Sequence, residues 1–134
     1  MTRQVWVWGP AWAMMVLIFV LSSMSQLPPV PGGFDVDDWV AHAVAYGVLA
    51  ALLLRGLAGG ALRRVSVEAA WLAVALATLY GITDEVHQRF VPGRTAEVAD
   101  LIADAAGATA AAGLIWGWQF VVKAVRRETG GAPD

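Results

Sequence analysis

The stretch TDEVHQRFVPGRTAEVADLIAD, residues 83 to 104, carries seven acidic or basic side chains and a histidine between two strongly apolar runs. Carboxylates beside histidine and arginine can move protons, hold a cation or grip an anion. Helical spacing sorts them. At about 100° per residue, Asp100, Asp104, Gly107 and Ala111 project within ~60° of one another, so one face carries both carboxylates and the small residues. Thr95 is a suitable N-cap for that helix, with Glu97 in its first turn. Upstream, Tyr80, Asp84 and His87 share a face by i+4 and i+3 spacing, whereas Glu85 points about 100° away and suits capping or pairing within the loop. In an earlier run His42 and Tyr46 lie at i and i+4 among Ala41, Ala43, Ala45 and Gly47, inside Asp38. Three helices thus offer polar groups at one depth. The expectation is a common pocket floored by Asp38, His42, Tyr46, Asp84, Asp100 and Asp104 and covered by the loop carrying His87, Gln88, Arg89 and Arg94, with Glu85 at its edge.

The elements that must position these groups are unusual. The chain has 134 residues, 58% of them hydrophobic and 15% charged, with seven tryptophans, so much of its surface must face lipid rather than water. Apolar runs predict helices over about 5–24, 39–56, 67–86 and 96–123, each near the ~20 residues that cross ~30 Å of hydrocarbon. One all-α transmembrane domain over 1–134 is expected, with the tail from 127 to 134 frayed. The first run follows Arg3 as a cleaved signal would, but it is longer than a signal core and carries Trp6, Trp8 and Trp12, which suit a retained interface anchor. Short loops join the runs: SQLPPVPGGFDVDD, RGLAGGALRRVSVE and the charged stretch with its VPGR turn.

Arg3, Arg55, Arg63, Arg64, Lys123, Arg126 and Arg127 fall on one side and only Arg89 and Arg94 on the other. The positive-inside rule then places both termini and the middle loop in the cytoplasm. Eight of the eleven acids, Asp35, Asp37, Asp38, Asp84, Glu85, Glu97, Asp100 and Asp104, lie on or near the outer side. Acids within a bilayer usually face a bundle interior or a wet cavity, which makes Asp104, one turn deeper than Asp100, the most informative. Small residues let helices approach closely, and Ala103, Gly107 and Ala111 form one such row, Gly113 and Gly117 another.

Asp38, His42 and Tyr46, then Asp84, Glu85, Gln88 and Phe90, then Pro92, Gly93 and Arg94, and finally Asp100 and Gly107, resemble the motifs of the VanZ-like family of small bacterial membrane proteins. Two residues depart from that pattern: Trp39 stands where the family commonly has Lys, and Asp104 where it commonly has Asn. Both make the pocket more negative. The resemblance implies four helices in the bacterial cytoplasmic (inner) membrane and a role in the cell envelope. For the founding member it implies antibiotic resistance, at low level, to the glycopeptide teicoplanin.

Several functions stay open at this point. The pocket could bind a membrane lipid, a lipid-linked cell-wall precursor or a glycopeptide, with Arg89 and Arg94 meeting phosphate or carboxylate near the N-terminus of the last helix. It could instead hydrolyse or transfer part of such a lipid, with His42 or Asp84 as general base and Arg94 stabilising developing negative charge. A structural reading has the polar groups locking four helices in a protein that assembles with partners or as a homo-oligomer through its glycine rows. No segment can form a nucleotide, nucleic-acid or redox-cofactor domain, and the chain has no Cys and no HExxH. No cofactor is expected, a divalent cation on Asp84, Asp100, Asp104 and a histidine being the one that hard carboxylate ligands permit.

Overall fold

A computed structural model of the chain describes residues 2–25, 38–62 and 65–128. Four α-helices account for almost all of them: α1 (Thr2–Ser22), α2 (Asp38–Leu57), α3 (Val67–Gln88) and α4 (Val98–Glu128). All four are long and apolar enough to cross a membrane, and the protein is an all-α, multi-pass membrane protein. The helices run one to five residues past the expected ends at most places. α4 is the longest departure: helix continues through Arg127 and Glu128, and its 31 residues span about 46 Å, more than the hydrocarbon thickness. Asp35, Asp37, Arg63 and Arg64, and the tail beyond residue 128, lie outside the described residues.

The bundle is built with its large apolar side chains outward. Trp6, Trp12, Trp39, Trp71, Leu79, Leu114 and Trp118 are all exposed on the outer faces of these apolar helices. The interior is lined instead by small residues, Ala50, Ala73, Ala77, Ala108 and Ala112, with Tyr46, Leu49 and Leu54 as the bulk. Lipid tails are as apolar as leucine, so burying large hydrophobic groups drives nothing here, and close backbone approach supplies the packing energy.

The closest approach joins α2 to α4, the most extensive helix pair in the bundle. A Cβ on Gly107 would collide with the backbone of Ala43, and one on Gly47 would sit 3.2 Å from the Gly107 carbonyl oxygen. The Ala103, Gly107 and Ala111 row is therefore the α2–α4 seam. Gly113 and Gly117 behave differently: nothing lies within 4 Å of a Cβ built on either. α3 lies against both α2 and α4, whereas α1 touches α2 and, lightly, α3.

α1 is held by polar contacts that follow from its sequence. Pro10 has no N–H, which frees the carbonyl of Trp6 four residues earlier. The Arg55 guanidinium donates to that oxygen at 3.1 Å and to the Val7 oxygen at 3.0 Å, restoring a bond that lipid could not supply. The Trp8 ring lies flat where any side chain on Gly56 would have to go, and Tyr80 donates its hydroxyl to the Met15 oxygen at 2.6 Å. α3 starts at the Ser66 N-cap, whose side chain accepts from the Ala69 amide.

Gly107→Ala should lower stability by about 1–3 kcal/mol through overpacking of the seam, whereas Gly113→Ala, in open space, should leave it within about 0.5 kcal/mol. Thermal unfolding of both variants in the same detergent checks this.

Candidate functional site

The charged stretch becomes a site because of one turn. Val91 to Arg94 closes with the Arg94 amide donating to the Val91 oxygen at 3.1 Å, with Pro92 at the second position and Gly93 at φ +83° in the third. That is a type II turn, which requires glycine where φ is positive. It folds the loop back over α3, so that Arg94 Nε donates to Gln88 Oε1 at 3.3 Å. Gln88 in turn donates through Nε2 to Asp84 Oδ2 at 3.1 Å, one helical turn away. The Arg94–Gln88–Asp84 chain is thus a relay in which the amide uses both ends of its dipole.

Glu85 follows the alternative expected for it, yet it is buried as well. Its Oε2 accepts from the Glu97 amide at 3.0 Å, immediately ahead of α4, and stands in for an N-cap at the helix entrance. Thr95 does not take that role. α4 starts at Val98, three residues on, and the Thr95 hydroxyl donates to Glu97 Oε1 at 3.3 Å instead. The Glu85 carboxyl, reaching from α3, takes the amide that a local hydroxyl would otherwise serve.

Deeper in the bundle, His42 Nδ1 lies 2.9 Å from Asp104 Oδ1, a buried hydrogen bond between α2 and α4. Asp104 is 0% exposed, and the lack of a side chain at Gly81 makes room for it, since a Cβ there would fall 2.7 Å from Asp104 Oδ2. The Tyr46 ring lies parallel to His42 with centroids 6.3 Å apart and is buried at 1% exposure. Two buried carboxylate oxygens, Glu85 Oε1 and Asp104 Oδ2, have no hydrogen-bond partner among the described residues, while the buried Tyr46 hydroxyl faces Asp84. Buried polar groups are nearly always paired, so two such oxygens in one region mark it as more than a packing joint.

His42 and Tyr46 border a cavity of about 100 Å³ between α1, α2 and α3, with Asp104 and Glu85 behind its wall. One part of its wall is apolar, from Ile18, Leu21, Ala41 and Ala45; the other is polar, from Asp38, His42, Tyr46, Asp84, Gln88 and Arg94. Asp100 is buried beside it, and its carboxylate, the exposed Asp38 and the His42 ring each offer an atom within 4.8 Å of the others. Arg89 does not join: it is exposed at the C-cap of α3 and makes no ion pair among the described residues. Among the described residues neither arginine pairs with a carboxylate at salt-bridge distance.

The contribution of α1 was not foreseen. Ser22 lines the cavity, and Ser23 Oγ lies 2.9 Å from His87 Nε2 while donating to the Phe19 oxygen, which turns His87 away from the cavity and onto α1. The paired serines ending an otherwise apolar run were the available signal.

Removing the Asp104 carboxylate leaves His42 with a bare buried Nδ1. Asp104→Ala should therefore destabilise the protein by about 1–3 kcal/mol, and Asp104→Asn, whose carbonyl can still accept from Nδ1–H, by clearly less. Chemical denaturation of the two variants side by side measures the difference.

Comparison with curated proteins and with solved structures finds no match. A family model, described as VanZ/LLP1, matches residues 7–122 and so takes in most of α1 and α4, all of α2 and α3, the VPGR turn and every cavity-lining residue. The chain belongs to the VanZ/LLP1 family.

Proposed function

We propose that this protein works in the cell envelope, in the bacterial cytoplasmic membrane, and binds an anionic, lipid-linked envelope component in the cavity between α1, α2 and α3. One observation carries the reading: the cavity joins an apolar wall of Ile18, Leu21, Ala41 and Ala45 to a polar wall that holds Arg94. An amphiphile has that same division, with a chain for the apolar side and a headgroup for the polar one. The surplus of acids is compatible with an anionic headgroup because several carboxylates already have donors: Asp84 from Gln88, Glu85 from the Glu97 amide and Asp104 from His42. Arg94 keeps N–H groups beyond the one given to Gln88, and guanidinium is suited to phosphate and carboxylate. If the component is a wall precursor, a changed response to glycopeptides such as teicoplanin is a consequence of the same binding.

A catalytic reading draws on the His42–Asp104 pair. A cavity-lining imidazole oriented by a buried carboxylate is the arrangement of a general base, and its substrate would be the same lipid headgroup. Release of headgroup from bound lipid over time, lost in His42→Gln, separates turnover from binding.

The cytoplasmic placement of both termini rests on the distribution of Lys and Arg. The cysteine-free chain makes this testable. Arg89→Cys should react with a membrane-impermeant maleimide on intact cells, and Glu128→Cys only after permeabilisation.

Native mass spectrometry of the protein purified from its own membrane tests the binding. The wild type is expected to retain a discrete anionic lipid, and Arg94→Ala of equal thermal stability to lose at least about tenfold of it, as loss of a charged contact of ~1.5–3 kcal/mol requires. Equal retention by both would overturn the proposal.

A further inference from the structure

We infer that His42, Glu85 and Asp104 form a binding site for one divalent transition-metal cation inside the helix bundle. The three residues come from α2, α3 and α4, all are buried, and each offers a ligand atom within 4.8 Å of the other two. This inference does not depend on what fills the cavity, because Glu85 and Asp104 lie behind its wall rather than on it.

The donor atoms are the main argument. Each carboxylate has one oxygen engaged, Glu85 Oε2 with the Glu97 amide and Asp104 Oδ1 with His42, and each leaves its second oxygen without a partner among the described residues. Two anionic oxygens buried without donors demand either protons or a cation. Tyr46, whose hydroxyl faces Asp84, belongs to none of the three ligands but sits beside Asp104, its ring edge and Asp104 Oδ2 both bordering the space left by Gly81. A phenol there can hydrogen-bond a water or a carboxylate on the ion, the outer support that metal sites usually carry.

Charge and ligand type narrow the ion. Two carboxylates and a neutral imidazole bring a charge of −2, which a divalent cation balances. A mixed nitrogen and oxygen set favours Mn²⁺, Fe²⁺ or Zn²⁺ over Ca²⁺ or Mg²⁺, which prefer oxygen alone. His42 Nδ1 and Asp104 Oδ1, 2.9 Å apart, now share a proton; an ion with bonds of about 2.1 Å can take that proton's place between them, with the bare Glu85 Oε1 as the third ligand. Access is also present: Asp38, Asp100 and His42 form a second group within the same distance limit, and Asp38 is exposed, so acids lead from the rim to the buried ligands.

The test uses the full chain in detergent, stripped with chelator and then incubated with Mn²⁺. After desalting, elemental analysis should find about one Mn²⁺ per folded protein, and Glu85→Gln and Asp104→Asn should each weaken retention at least about tenfold. To separate lost stability from lost ligation, pulsed electron paramagnetic resonance of the wild type supplies the independent readout: a bound Mn²⁺ should show coupling to the imidazole ¹⁴N, absent in His42→Gln. Folded wild type that retains no Mn²⁺, Zn²⁺ or Fe²⁺, or Mn²⁺ that shows no nitrogen coupling, or equal retention by folded Glu85→Gln and Asp104→Asn, overturns the site and leaves the buried acids to protons. Mn²⁺ held equally well by His42→Gln identifies surface binding and likewise overturns it.

Discussion

The approach of α2 to α4 at Gly47 and Gly107 is the constraint on which the other features rest. Only because no side chain stands at Gly107 can the Ala43 backbone come so near. Asp104 lies one turn ahead of that contact and His42 directly beside it, so the same closeness brings the two to hydrogen-bonding distance. In lipid the hydrophobic effect does not press helices together, and the seam must do so through backbone packing and this one buried polar bond. A larger residue at Gly107 would thus disturb packing and the polar site together.

From that seam the remaining polar groups take their places by ordinary chain geometry. Asp104 fills the gap beside Gly81, which draws α3 to the pair. Asp84 and Glu85, adjacent on α3, then divide their work: one joins the relay to Gln88 and Arg94, and the other reaches the entrance of α4. The loop between α3 and α4 is held at both ends by these acids. Its type II turn aims Arg94 at the cavity, while Arg89, before the turn, remains outside it.

Site and scaffold are therefore not separable here. His42 is a packing partner and a cavity wall; Glu85 is a helix cap with one bare oxygen; Gln88 is buried and also faces the cavity. Bilayers penalise polar groups heavily, and a bundle that must contain them gains by giving each more than one contact. α1 is the exception, attached at its edge by Arg55, Trp8 and Tyr80 rather than through the seam, and it closes one side of the cavity with Ile18, Leu21 and Ser22.

The sequence by itself determined the four helices, their small-residue faces and the depth at which His42, Tyr46, Asp84, Asp100 and Asp104 collect. Hydropathy and the 3.6-residue period are local properties, legible wherever a run is long enough to span lipid. Tertiary structure alone decided which carboxylate meets which partner. Thr95 looked like the cap of α4 until Glu85, on another helix, proved to be near in space and to accept from the Glu97 amide. Gly113 and Gly117 matched the packing motif as well as Gly107 does, yet of the three only Gly107 is in close contact with another helix. Helical spacing states which residues share a face but not what lies opposite it, since that depends on how separate helices pack, and this is also why the serines of α1 entered the site unannounced.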